Sequence, residues 1–183
     1  MRVIAGSLRG RRLVAPRGEA TRPTADRVRQ ALFDVLGDVA AAEVADLYAG
    51  TGALGIEALS RGAAHASFVE HAPAALAALR RNVGALGLAE RANVIPLRIE
   101  RARAALERRA PFRLVLCDPP WRLSLEVAPA VAKLLDGLLD PAGRVVLGCR
   151  ASDAARLDPG PQLELVERRH WGDSAMSLYR PRR

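Results

Sequence analysis

Between residues 44 and 149, short apolar runs alternate with helical stretches, and that alternation leaves few folds open. Val44–Ala49, Ala66–Val69, Asn93–Leu97, Phe112–Cys117 and Gly143–Cys149 read as strands. Helices are read over 53–61, ended by Gly62, and over the stretch that Pro73 opens and Gly87 stops. In the latter, Leu76, Leu79, Val83 and Leu86 recur at helical spacing. Two more helices are read over 99–109 and 127–138, the second requiring Pro129 in its first turn. An unbroken apolar run such as Phe112–Cys117 suits a strand covered on both faces. The whole pattern is that of an α/β fold with a doubly wound, mostly parallel sheet. After residue 149 the pattern changes. Gln162–His170 and Ala175–Arg180 are strand-like, and Trp171-Gly172-Asp173-Ser174 between them predicts a C-terminal antiparallel hairpin.

The first 22 residues differ from the rest, so the chain divides into a basic extension, 1–22, and a main domain, 23–183. Arg2-Val3-Ile4-Ala5 and Arg12-Leu13-Val14-Ala15 flank a turn-rich stretch and predict an N-terminal β-hairpin. Arg9, Arg11, Arg12, Arg17 and Arg22 surround it. Pro23-Thr24 then opens a helix, with Thr24 as its N-cap. Val28, Ala31, Leu32, Val35 and Leu36 form its buried stripe, and Arg27 and Arg29 extend the basic surface. The chain of 183 residues carries a net charge of +8, nearly all of it arginine, since Lys133 is the only lysine. High arginine and alanine fit either a GC-rich genome or a polyanionic partner; the clustering around residues 9–29 favours phosphate contacts. Cys117 and Cys149 each end an apolar run and read as buried strand residues. His65, His71 and His170 have no metal-ligand spacing, and no metal is expected. Without a signal peptide or an apolar run of membrane-spanning length, the expected compartment is the cytoplasm.

Three strand ends carry the chemistry. Asp46-Leu47-Tyr48-Ala49-Gly50-Thr51-Gly52-Ala53-Leu54-Gly55 runs from a strand through a glycine turn into a helix, and Gly50, Gly52 and Gly55 fit G-x-G-x-x-G. Glu70 follows at the interval expected of an acid that holds a ribose. These two features suit NAD and S-adenosylmethionine equally. Asp118-Pro119-Pro120-Trp121 separates them. Two prolines in series hold an extended turn that leaves the Asp118 and Pro119 carbonyls outside any helix. An exocyclic amine could give its two hydrogens to the Asp118 carboxylate and the Pro119 carbonyl, while its base stacks on Trp121.

An Asp-Pro-Pro-aromatic stretch after such a turn resembles the amino-group S-adenosylmethionine methyltransferases. Nearly the whole chain resembles one group of them, the RsmD family of bacterial 16S rRNA guanine-N2 methyltransferases. The resemblance rests on Met1-Arg2-Val3-Ile4-Ala5-Gly6, Arg9-Gly10-Arg11, Arg22-Pro23-Thr24-Ala25-Asp26-Arg27-Val28-Arg29, the Asp46–Ala63 block, Phe68-Val69-Glu70 and Asp118–Trp121. It implies a Rossmann-like class I methyltransferase fold and methyl transfer to N2 of one guanine, presented by an assembled or partly assembled small subunit; separately, the enzyme is expected to be a monomer. By position, Asp46, Ala49, Gly50 and Gly52 flank the methionine part of the cofactor and Glu70 holds the ribose. Asp118 and Pro119 bind the amine, and Trp121 stacks on the guanine. With RNA as the substrate, the charge cluster of Arg9, Arg11, Arg12, Arg22 and Arg27 is expected to meet its phosphates. The chain departs from the pattern at Arg98, where relatives usually place an Asp or Asn for the adenine, and at Trp121, where Phe or Tyr is commoner.

Three other readings compete. A nucleotide-dependent oxidoreductase would leave Asp-Pro-Pro-Trp without a role. An adenine-N6 methyltransferase acting on DNA or RNA would use the same amine chemistry, but the chain has no room for the usual target-recognition insert. A non-catalytic RNA-binding protein would not need so complete a site.

Overall fold

The computed structural model describes residues 1–16 and 23–182, with the side chains of 23–25 excepted. Arg17, Arg22 and the Thr24 hydroxyl therefore lie outside the described residues. In chain order the elements are α1 (Pro23–Leu36), β1 (Glu43–Leu47), α2 (Ala53–Ser60), β2 (His65–Val69), α3 (Pro73–Ala85), β3 (Ala92–Ile95), α4 (Arg103–Glu107), β4 (Phe112–Cys117), α5 (Ser124–Leu135), β5 (Leu139–Arg150), β6 (Leu163–Trp171) and β7 (Ser174–Pro181). The seven strands form one sheet in the order β3-β2-β1-β4-β5-β7-β6. β1 to β5 run parallel, and β7 is antiparallel to both β5 and β6. This is the Rossmann-like class I methyltransferase fold with its C-terminal antiparallel hairpin.

The period-2 alternation of the strands divides the core between the two faces of the sheet. Val44 of β1 and Leu114 and Leu116 of β4 pack with α1, α2 and α3. Ala45, Leu47, Val115 and Cys117 pack with α4 and α5 on the other side. Both cysteines are buried and unpaired.

Several expected boundaries move. The helix expected over 99–109 is a 3-10 turn, Ile99–Arg101, followed by the five-residue α4. Only Ile99, Ala102 and Leu106 of this stretch are buried, too few to hold a long helix on the sheet. α5 begins at Ser124 rather than 127, so Pro129 stands inside it, beyond the first turn. The proline removes one N–H from the ladder, but Val127, Val131, Leu134 and Leu135 keep the helix pressed on the sheet. β5 starts at Leu139, four residues early, and shifts register between Phe112 and Leu114 of its neighbour β4.

The N-terminal hairpin forms its antiparallel pairing as a single bridge, Arg2 with Arg12, rather than as two strands. Val3 N–H donates to Arg11 O at 2.9 Å, and Leu13 N–H to Met1 O at 3.1 Å. The segment is stitched to α2 instead. Glu57, wholly buried, accepts the N–H groups of Ile4 and Ala5 at 2.8 and 3.0 Å and ion-pairs with Arg61 at 2.8 Å and Arg29 at 3.5 Å. Gly6 crosses the end of α2 so closely that a Cβ there would stand 1.9 Å from Ser60 O. Arg29 is only 4% exposed and bonds Arg2 O and Asp26 as well, so it does not extend the basic surface. Glu57 stands 53 residues from Ile4 in sequence, so no local spacing signalled this pairing.

Candidate active site

The glycine turn, the end of β2 and the end of β4 open onto one cleft of about 1260 Å³ at the carboxyl edge of the parallel strands. Ligands of open α/β sheets bind at this edge. Asp46, Ala49, Gly50, Glu70, Asp118, Pro119 and Trp121 all line it. Gly52 does not. It lies behind the wall, where an added Cβ would meet Leu79 Cδ1 at 2.4 Å. Gly55 is packed in the same way against Phe68, at 2.4 Å from Cε1. Gly50 is different: its φ is +56°, and an added Cβ would meet nothing within 4 Å, so this turn faces open space. Two of the three glycines thus serve close packing of α2, and one serves the cleft.

The carboxylates are held by backbone. Asp46 Oδ2 accepts the Gly55 N–H at 2.8 Å, tying β1 to the first turn of α2. Glu70 accepts the Gly50 N–H at 2.9 Å on one oxygen and the His71 and Ala72 N–H groups, each at 2.7 Å, on the other. That arrangement fixes the Glu70 side chain at the cleft wall before any ligand arrives. Burial pushes Asp46 up from 3.8 to about 8, against the pull of the Gly55 N–H, and Asp118 and Glu70 add to the rise. Asp118 is raised to about 6, also by burial. Its rise is smaller than that of Asp46, in keeping with its position: crowded by protein on its inner side, it is still exposed onto the cleft that it lines.

Four residues shape the site without having been assigned a part in it from sequence. Gly148 on β5 makes room for Asp118, because a Cβ at 148 would lie 2.3 Å from Oδ1. A lone glycine inside a strand pattern is the signal for such a close approach. Tyr48 takes a φ of +59° on leaving β1, an uncommon conformation for a bulky residue, and its ring lines the cleft. Arg150 places its guanidinium 5.3 Å from the centre of the Trp121 ring, within cation–π range. Ser124 Oγ donates to Trp121 O at 2.8 Å, setting the start of α5. The Arg150–Trp121 contact, across 29 residues of sequence, could not be read from spacing. Arg98 lines the cleft just past β3, followed by the buried Ile99. Arg9, Arg11, Arg12 and Arg27 are exposed and lie outside the cleft; Arg22 falls outside the described residues.

The family model "Conserved hypothetical protein 95" matches residues 1–180. "Putative rRNA methyltransferase YlbH" of Bacillus subtilis is 43% identical over 124 residues, which are 67% of each chain. "Ribosomal RNA small subunit methyltransferase D" of Escherichia coli K12 is 38% identical over 126 residues, 68% of this chain and 62% of that one. The chain belongs to the RsmD family of rRNA methyltransferases. The match to these curated relatives spans about two thirds of their length. Among solved structures, "Putative methyltransferase yhhF from Escherichia coli" superposes with a TM-score of 0.82 at 30% identity, over 100% of this chain and 99% of that one. SMU.776, a methyltransferase-fold protein solved with SAH, reaches 0.70 at 13% identity over 85% of this chain and 49% of that one, a likeness of fold alone. Membership in the family and the arrangement of the cleft rest on separate observations, one on sequence and one on geometry.

Proposed function

We propose that this RsmD family member transfers a methyl group from S-adenosylmethionine to the exocyclic N2 amine of a guanine in 16S rRNA, presented by an assembled or partly assembled small subunit in the cytoplasm. The observation that carries the reading is the shared cleft: Asp118 opens onto the same space as Glu70 and the Gly50 turn. The residues fit the cofactor. Gly50 leaves room for close approach, Glu70 is pre-oriented to accept ribose hydroxyls, and the five acidic residues around one cleft, Asp46, Glu70, Glu100, Asp118 and Glu126, suit a cation. When bound, S-adenosylmethionine supplies an electrophilic methyl group on a positively charged sulfur.

The chain's own part is positioning and charge. The Asp118 carboxylate and the Pro119 carbonyl each accept one N–H of the amine, which draws the nitrogen toward a pyramid and frees its lone pair. With the cofactor held by Glu70 and the Gly50 turn, that lone pair would face the methyl group, which would pass to nitrogen while the sulfur kept the electrons of its old bond. The nitrogen then carries an extra proton, and Asp118, raised to about 6, is basic enough to take it and pass it to solvent across its exposed edge. Trp121, with Arg150 against its ring, stacks on the acceptor base. The base must leave its own stack or pair to reach this position.

The test is transfer of labelled methyl to small subunits lacking the modification, beside bare 16S rRNA and duplex DNA, followed by nucleoside analysis. N2-methylguanosine recovered from subunits is the expected result. Label in N6-methyladenine would keep the amine chemistry and overturn the substrate. No transfer by a protein that binds the cofactor would overturn the reaction.

A further inference from the structure

The basic N-terminal segment does not stand alone. Asn82 of α3, 2% exposed, accepts the Val14 N–H at 2.7 Å and donates to Val14 O at 3.0 Å. Arg11 donates to Ala85 O, at the end of the same helix, at 3.0 Å. The segment is therefore laid along one flank of α3. Successive residues of a helix are turned by about 100°. Arg81 then lies about 40° of arc from Ala85 and about 100° from Asn82, on the flank that meets the segment. Arg80, its neighbour in sequence, is turned about 140° and about 160° from the same two residues and faces away. Both arginines are exposed.

Among the described residues, no ion pair uses Arg9, Arg12 or Arg81. Arg80 is likewise in no ion pair among the described residues, so position on the helix, and not pairing, sets Arg81 apart from it. Uncompensated guanidinium groups on two adjoining stretches make a surface for consecutive phosphates.

We propose that Arg81 of α3 continues the positive surface of the N-terminal segment, so that the RNA backbone is held by a composite face made of Arg9, Arg12 and Arg81. The inference rests on the reading of RNA as substrate. It adds a contact from the methyltransferase body itself and a direction for the bound strand, from the segment across α3. One phosphate contact fewer lowers the slope of log K against log salt by about 0.7 to 0.9.

The experiment measures binding of unmodified small subunits to wild type, Arg81→Ala and Arg80→Ala between 50 and 200 mM KCl at fixed Mg²⁺, with cofactor affinity and melting temperature in parallel. Arg81→Ala is expected to bind more weakly, with its deficit shrinking about threefold across that salt range. Arg80→Ala is expected to keep the wild-type slope, and both variants to keep cofactor affinity. A wild-type slope for Arg81→Ala, or equal losses for the two variants, overturns the composite face while leaving the substrate reading intact. A wild type that binds neither subunits nor bare rRNA overturns the substrate reading, and this inference with it.

Discussion

Asp118 owes its place to a hydrogen atom. Across the sheet, Gly148 carries no side chain, and an added Cβ would sit 2.3 Å from the carboxylate oxygen. Gly148→Ala should therefore push Asp118 out of line without changing any charge, at a stability cost of about 1–3 kcal/mol. Turnover should fall toward that of Asp118→Ala, for which a loss of about a hundredfold or more is expected. Single-turnover methylation beside cofactor titration checks both variants, since cofactor affinity should barely move in either. Near-normal turnover in Asp118→Ala would remove the carboxylate from the chemistry.

Among the elements, α2 joins the most. Asp46 holds its first turn from β1, and Glu57 near its middle gathers Ile4, Ala5, Arg29 and Arg61. Removing one partner from a buried ionic cluster strands the others, at about 3–5 kcal/mol. Glu57→Ala should cost that much in urea unfolding and should also weaken subunit binding, because the basic segment loses its anchor. Unchanged unfolding would mean that Arg29 and Arg61 find other partners. None of this was legible in the sequence, where Glu57 is one more polar residue on a helix and Arg29 one more surface arginine. What was legible was whatever depends on period and punctuation. Val44–Ala49, Phe112–Cys117 and the glycine turn announced the parallel strands and the edge where the cleft lies. Pairings across long separations, such as Arg150 with Trp121 or Val14 with Asn82, follow from tertiary packing and leave no local trace. The brevity of α4 and the early start of α5 have the same origin, since burial decided them against propensity.

For the molecule as a whole, the acidic cleft sets a pH dependence. Asp46 and Asp118 titrate above the usual carboxylate range when folded, to about 8 and about 6. The folded protein therefore keeps protons that the unfolded chain releases, and stability falls as pH rises from the unfolded value through the folded ones. Melting temperature without ligand should drop between about pH 4 and pH 8, chiefly from the buried Asp46 and less from Asp118, which water reaches from the cleft. A cationic cofactor favours the ionised carboxylates, so S-adenosylmethionine should bind more tightly as pH rises through 8. S-adenosylhomocysteine, without the sulfonium charge, should gain less. Parallel thermal melts with each ligand measure both trends, and equal gains for the two would show that the carboxylates do not sense the sulfur.

β7 pairs with β5 on one side and β6 on the other, so a strand in the interior of the sheet is made after both of its neighbours. Until Ser174 and its successors have been added, β5 has an open edge and β6 has no neighbour. Chains are synthesised from the N-terminus, and domains fold as units. A nascent chain halted before β7 would expose the hydrogen-bonding edge that β7 covers, a template for pairing with other chains. The order of synthesis thus delays the joining of β5 to β6, and with it completion of the Gly148 side of the cleft, until β7 has been added.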